Sequence, residues 1–286
     1  MNLSSLIFKL ENYWEQFGCT ILPAFDMEVG AGTMAPHTFF RVLSKRPASI
    51  CYIQPSRRPT DGRYANNPNR VYKHLQMQVI VKPVPDDIQS IYLKSLEALG
   101  IFAKDHDIRF IEDNWEAPTL GAWGVGWEVW LDGMEITQFT YFQQAGGVDL
   151  KDPAVEITYG IERLALYIQD KDSVYDMQAG RLDTYGDLRI MDEKEQSAYC
   201  HEFSRPEFLF NMFDQCQSEA WHCIEQQLIH PAYEYALKCS HLFNLLDTRG
   251  SLSTSERARY LGIIRKLVKQ CTLKFLEGER NEATDH

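Results

Sequence analysis

Val155–Gln169 reads VEITYGIERLALYIQ. VEITY is a β-branched alternating run that meets Gly160, and Ile161, Leu164, Ala165 and Ile168 then recur at the i, i+3, i+4, i+7 spacing of a buried helix. A strand therefore runs directly into a helix, with Glu162 and Arg163 at its start. Working outward towards the N-terminus, residues 54–83 read QPSRRPTDGRYANNPNRVYKHLQMQVIVKP, two strand-like runs around a Pro/Asn/Gly-rich loop. From Gln54 to Lys82 the cations Arg57, Arg58, Arg63, Arg70, Lys73 and Lys82 stand against a single acid, Asp61, in a chain of net charge -11. A charge run is ordinarily a solvated face. A local inversion of sign on a hairpin, built from planar guanidinium forks, also suits a pocket for a polyanion such as phosphate.

At 286 residues and 44% hydrophobic, the chain can bury one sizeable core with a second, smaller domain. No run approaches the eighteen or so apolar residues that a membrane span needs, and the N-terminal MNLSSLIFKLENYWEQ reads as an amphipathic helix with no cleavage site. A cytoplasmic location and no membrane partner are expected. The seven cysteines form no CxxC pair or even framework, and His201, His222, His230 and His241 are scattered, so no zinc is expected. The acidic balance argues against this chain alone holding a long stretch of nucleic acid, because backbone binding depends on Lys and Arg displacing counterions.

Strands are expected at 50–54, 75–81, 108–113, 127–131, 135–142 and 155–159, and an amphipathic helix at 86–99. Successive strands without interposed helices indicate an antiparallel sheet. Beyond Lys194 the pattern turns helical over 203–227, 232–247 and 253–276, with Pro231 and Gly250 in the breaks and Ser253 with Glu256 as a capping box. The expected fold is α+β: an antiparallel β-sheet flanked by helices in a catalytic domain, residues 1–192, followed by a C-terminal helical domain, residues 193–286.

Gly-x-Glu-Arg at the strand-to-helix junction resembles motif 3 (about 155–169) of class II aminoacyl-tRNA synthetases, and the arginine hairpin resembles motif 2 (about 50–82). With FDMEVGAGT (25–33, in the motif 1 region, about 17–33), the segment 112–147 and YGD (185–187), the ordered set resembles the α subunit of bacterial two-subunit glycyl-tRNA synthetases. The resemblance implies a catalytic subunit that activates glycine with ATP and Mg2+ and passes it to tRNA(Gly). It also implies a second α chain and a β subunit as partners, in an α2β2 assembly.

On the family pattern the first motif 2 arginine contacts the α-phosphate and the amino acid carboxylate; Arg57 or Arg58 takes that part. Arg63, Arg70, Gln76 and Gln78 are expected to serve ATP or the tRNA acceptor end, and Arg163 the γ-phosphate and adenine. Glycine is expected against Trp115, Gln138, Glu156 and Thr158: Glu156 receives the ammonium, and the flat Trp115 ring leaves room for hydrogen at the Cα and little else. Thr158 shares the face of Glu156 by strand alternation. Mg2+ needs one or two carboxylates, for which Glu128 and Glu135, on neighbouring strand segments, are expected, with Asp113 third.

Three departures from the family stand out. Pro23 comes one place early before FDME, Met77 replaces a phenylalanine that would bear on adenine stacking if it faced the nucleotide, and 176–187 lacks a Val-Trp pair. The alternatives are a non-catalytic class II paralogue that binds a nucleotide or a partner chain, and a stand-alone amino acid ligase on the same fold. Retention of Arg57, Arg58, Glu156 and Arg163 together speaks against the paralogue, and need for a β chain would separate out the ligase.

Overall fold

The computed structural model describes residues 1–284. The chain runs α1 (Leu3–Phe17), β1 (Thr20–Ile21), α2 (Pro36–Leu43), β2 (Ala48–Arg57), β3 (Lys73–Lys82), α3 (Ile88–Ala98), β4 (Ile108–Ala117), β5 (Ala122–Leu131), β6 (Met134–Ala145), β7 (Val148–Asp149), β8 (Val155–Gly160), α4 (Ile161–Gln169), α5 (Tyr185–Ala198), α6 (Pro206–Glu225), α7 (Ile229–Thr248) and α8 (Thr254–Thr284). The strands form one sheet in the order β1-β2-β3-β8-β6-β5-β4, with β7 on β6. Every ladder is antiparallel except β1 with β2. This is the α+β architecture that the sequence predicts.

Strand alternation divides the sheet into two faces. Met77, Val79 and Val81 of β3 and Val155, Ile157 and Tyr159 of β8 turn to one side, where α1, α3 and α4 cover them. Helix α1 fits because Leu3, Leu6, Leu10 and Trp14 make one buried stripe, Asn2 caps its first turn through Ser5 N, and Gly18 ends it at φ 107. Trp14 is fully buried and its indole donates to Tyr159 OH at 3.1 Å. The opposite face presents Ile50, Tyr52, Ile80 and Phe142 to α2 and to α6, α7 and α8, which close a second core over it.

The C-terminal helices thus share a core with the sheet, and the expected division at 192/193 falls within α5. Pro231 does not lie in a break between helices. It is the third residue of α7, in the first turn, where its missing N–H has no intrahelical acceptor to satisfy. The capping box at Ser253 forms: Ser253 Oγ accepts from Glu256 N at 3.3 Å and Glu256 Oε2 accepts from Ser253 N at 2.9 Å. Among the described residues no helix is long and apolar enough to cross a membrane.

Candidate active site

The face that carries the second core turns polar towards one end of the sheet. In register across it stand Gln54 and Ser56 on β2, Gln76 and Gln78 on β3, Thr158 and Glu156 on β8, and Gln138 and Thr140 on β6. A cavity of about 400 Å³ opens here. Arg58, Arg70, Arg163 and Glu135 line one end, and Gln76, Gln138 and Thr158 line the floor.

Alternation sends the two arginines of the doublet in different directions. Arg58 follows Gln54 and Ser56 on the cavity face, and its Nε donates to Gly30 O at 3.2 Å. Arg57 points elsewhere, 3.8 Å from Glu28 and bonded to Tyr72. Burial presses the Arg58 guanidinium below its ordinary pKa, and nearby Arg163 adds to the shift while Asp61 opposes it. His74, between the two arginines, is pushed down to about 3 by burial and then by their charges, so its ring is neutral. Sequence reasoning missed His74. Its period-two spacing before Gln76 and Gln78 was the available signal.

Arg163 stands in the first turn of α4, where its Nη1 donates to Glu135 O at 3.0 Å and pairs with the Glu135 carboxylate. The adjacent Glu162 faces inward: it accepts from Leu75 N at 2.8 Å and from Tyr185 OH at 2.7 Å, tying α4 to β3 and α5. Arg70 lines the cavity 3.7 Å from Asp61, whereas Arg63 folds back to the carbonyls of Thr60 and Gly62, both at 2.8 Å, and does not line it.

The two carboxylates expected for Mg2+ differ in their relation to the cavity. Glu135 lines the cavity, but Glu128 is outside the lining and accepts from the Trp130 indole at 2.9 Å. A register shift between Val129 and Trp130 places Glu135 opposite Trp130 while Glu128 stays opposite Gln138. The tight turn after β5 could not be counted in from sequence with that shift hidden. Asp113 is occupied by Gln138 Nε2 at 2.7 Å. Met77 is buried on the opposite face, so it has no contact with the cavity to lose by replacing phenylalanine.

One rung beyond Thr158 and Gln138 lies Glu156, opposite Thr140 and 2% exposed. Thr33 Oγ1 is 2.8 Å from each of its carboxylate oxygens, and among the described residues no ion pair engages it. Burial raises its pKa to about 8, against the opposing Thr33 bond. Thr33 lies in the quoted 25–33 segment, but its bond across the fold carried no sequence signal. Gly32 brings this segment down: its N–H donates to Gln76 Oε1 at 2.9 Å, and a Cβ there would come within 2.3 Å of the Gln78 side chain. Gln78 is fully buried and accepts from Thr158 at 3.0 Å, while its Nε2 has no hydrogen-bond partner among the described residues. Trp115 stands on the same face but outside the cavity lining, opposite Gly124, with its ring edge-on to Phe142 at 5.8 Å.

Two kinds of similarity bear on this arrangement. The family model described as glycyl-tRNA synthetase alpha subunit matches residues 3–280. The chain belongs to that family. It is accordingly a glycine–tRNA ligase subunit, an enzyme of protein biosynthesis whose reaction activates glycine and charges tRNA. Among solved structures, a pyrrolysyl-tRNA synthetase from Desulfitobacterium hafniense is similar at 15% identity over 64% of this chain and 73% of that chain, with a TM-score of 0.45. A second structure of pyrrolysyl-tRNA synthetase from the same organism gives 15% identity, 64% and 75% coverage, and a TM-score of 0.42. Aminoacyl-tRNA synthetases generally use ATP and Mg2+, and the alpha subunit description implies a partner subunit and tRNA.

Proposed function

We propose that the cavity is the adenylation site, with ATP phosphates at the end carrying Arg58, Arg70 and Arg163 and glycine beyond Thr158 and Gln138, towards Glu156, one rung outside the cavity lining. The observation that carries this reading is a single polar face with clustered guanidinium groups along it and, beyond it, a buried carboxylate that no cation among the described residues pairs with. A glycine carboxylate oxygen attacks the α-phosphorus of ATP; the new P–O bond forms as the bond to pyrophosphate breaks, and pyrophosphate leaves with the electron pair. The chain's task is alignment and charge neutralisation, with no side-chain nucleophile.

In this reading Arg58 neutralises the α-phosphate and Arg163 the outer phosphates, exchanging its bond to Glu135 for one to ATP. Glu156 receives the glycine ammonium, and the unpartnered Gln78 amide donates to the glycine carboxylate, a role on the amino acid side rather than the ATP or tRNA side. Gln138 and Thr158 line the path between, and Trp115 backs the pocket beyond Glu156. Glu135 fits Mg2+ as one carboxylate beside the phosphates, the arrangement this ion favours; bound there, the ion would supply positive charge to the outer phosphates. Gln76, engaged by Gly32 and Ser56, holds the 25–33 segment in place. Arg63 is left for the tRNA acceptor end.

Glycine then passes to the 3′ end of tRNA(Gly). The acidic charge fits a cytoplasmic α2β2 enzyme in which the β subunit carries most tRNA recognition. Arg58→Ala and Arg163→Ala in the assembled synthetase test the site: each should reduce glycine-dependent ATP–pyrophosphate exchange about a hundredfold or more, as loss of a preorganised charge contact does. Near-normal exchange by either folded variant would remove that arginine from the phosphate end.

A further inference from the structure

Both limbs of the arginine-bearing loop between β2 and β3 converge on one buried carboxylate of α5. Glu193 is 4% exposed; Arg63 N donates to its Oε1 at 3.3 Å and Tyr72 N to its Oε2 at 2.7 Å. The second limb is bonded to the first, since Arg58 N donates to Tyr72 O at 2.7 Å. One turn along α5, Ser197 Oγ accepts from Tyr64 N at 3.0 Å and donates to Glu193 at 3.3 Å. Gly62 approaches so closely that a Cβ would come 2.8 Å from Ser197 Oγ.

These contacts hold an unfavourable backbone. Tyr64 and Ala65 sit at φ 57 and φ 60, which non-glycine residues seldom adopt unless the surroundings enforce it. The Tyr64 hydroxyl reaches Glu202 at 2.5 Å, and His201 Nε2 lies 3.2 Å from Gly62 O, so the enforcement comes from one continuous stretch of α5 and the π-helical turn Tyr199–Phe203. Beyond this base, Asn67 Oδ1 organises the return by accepting from Asn69 N at 2.9 Å and Arg70 N at 2.8 Å. The loop tip is thus locally structured, and its aim depends on the base.

We propose that Glu193 is a positioning residue for the ATP half of the reaction: without touching substrate, it fixes the loop that carries Arg58, Asp61 and Arg70 to the cavity. This rests on reading the arginine end as the phosphate end. The glycine end is built from Gln78 of β3, β8, β6 and the 25–33 segment, and among the described residues Glu193 hydrogen-bonds to none of these. A carboxylate is required because two N–H donors from different limbs arrive at two oxygens. The glutamine amide offers one oxygen and turns an N–H against the other donor.

The test is Glu193→Gln in the assembled synthetase, with KM for ATP and for glycine measured separately by pyrophosphate exchange, and hydrogen exchange followed over residues 62–72. The proposal expects the ATP KM to rise about tenfold while the glycine KM changes less than about twofold, with faster exchange in the loop amides. Ser197→Ala, which removes the acceptor of Tyr64 N, should shift the same KM in the same direction by less, and serves if Glu193→Gln does not fold. Equal rises in both KM values, or a fall in kcat alone, would reduce Glu193 to a structural part and overturn the proposal, as would unchanged loop exchange. Arg58→Ala measured alongside keeps the readings apart. If it leaves the ATP KM unmoved, the phosphate-end assignment fails; if it raises that KM and Glu193→Gln does not, the positioning role alone fails.

Discussion

If Glu156 receives the glycine ammonium as proposed, glycine recognition is coupled to pH. The Glu156 carboxyl titrates near 8 because burial disfavours the charge, and Thr33 alone offsets that. The folded free chain therefore keeps a proton that the unfolded chain releases in the ordinary carboxylate range, and stability contributed by the protonated form is lost as pH rises towards 8. Glu156→Gln should melt at a higher temperature than the natural chain at pH 8, with the difference vanishing near pH 5. Glycine brings the missing cation, so its KM should fall as pH rises from 6 to 8 in the natural enzyme. In Glu156→Gln it should be high and flat over that range, weaker by about 2–5 kcal/mol, as for a desolvated pair losing one partner. Steady-state exchange at stepped pH checks both. Trp115→Ala addresses size exclusion: alanine and serine should gain on glycine by about 1–3 kcal/mol. An unchanged glycine:alanine ratio would leave Trp115 only its packing against Phe142.

At the scale of elements, helix α4 is held by the motif's glutamate and turns the motif's arginine to the cavity. Glu162 takes up Leu75 N, the N–H just before the β3–β8 ladder begins at Gln76, and so sets where the helix leaves the sheet. Glu162→Gln, which keeps one acceptor, should cost about 1–3 kcal/mol of stability, read by denaturant unfolding, before any direct loss of substrate contact. By contrast Ser253→Ala removes only the cap of α8, remote from the cavity. A loss of about 1 kcal/mol with normal exchange is expected, and a large loss of exchange would mean that α8 does more than cover the second core.

For the whole molecule, net charge decides what this chain can hold alone. A chain at -11, with Arg58, Arg70 and Arg163 turned to one cavity, should neutralise few tRNA phosphates. The isolated chain should bind tRNA weakly at physiological salt, with a shallow slope of log affinity against log salt. Adding the partner subunit should steepen that slope. Tight, tRNA(Gly)-specific binding by this chain alone would refute the division of labour.

The sequence by itself determined what depends on local period and local chemistry. Alternation put Glu156 with Thr158, the Gly160 junction turned strand into helix, the Ser253–Glu256 cap formed as read, and the arginine-rich hairpin reached the cavity. Alternation would also have chosen Arg58 over Arg57, had β2 been carried through to its end. Only the tertiary structure decided the contacts made by chain closure: Thr33 on Glu156, Glu193 on both limbs of the arginine loop, and the C-terminal helices on the sheet face. It also decided how Glu128 and Glu135 are engaged: Ile136 of β6 is the unpaired residue of the bulge, Glu128 is taken up by the Trp130 indole, and Glu135 pairs with Arg163 at the cavity, none of which leaves a mark in the pattern of residue types. The neutral His74 and the raised Glu156 belong to the same category. Desolvation is a property of everything packed around a group, and no window of neighbouring residues contains it.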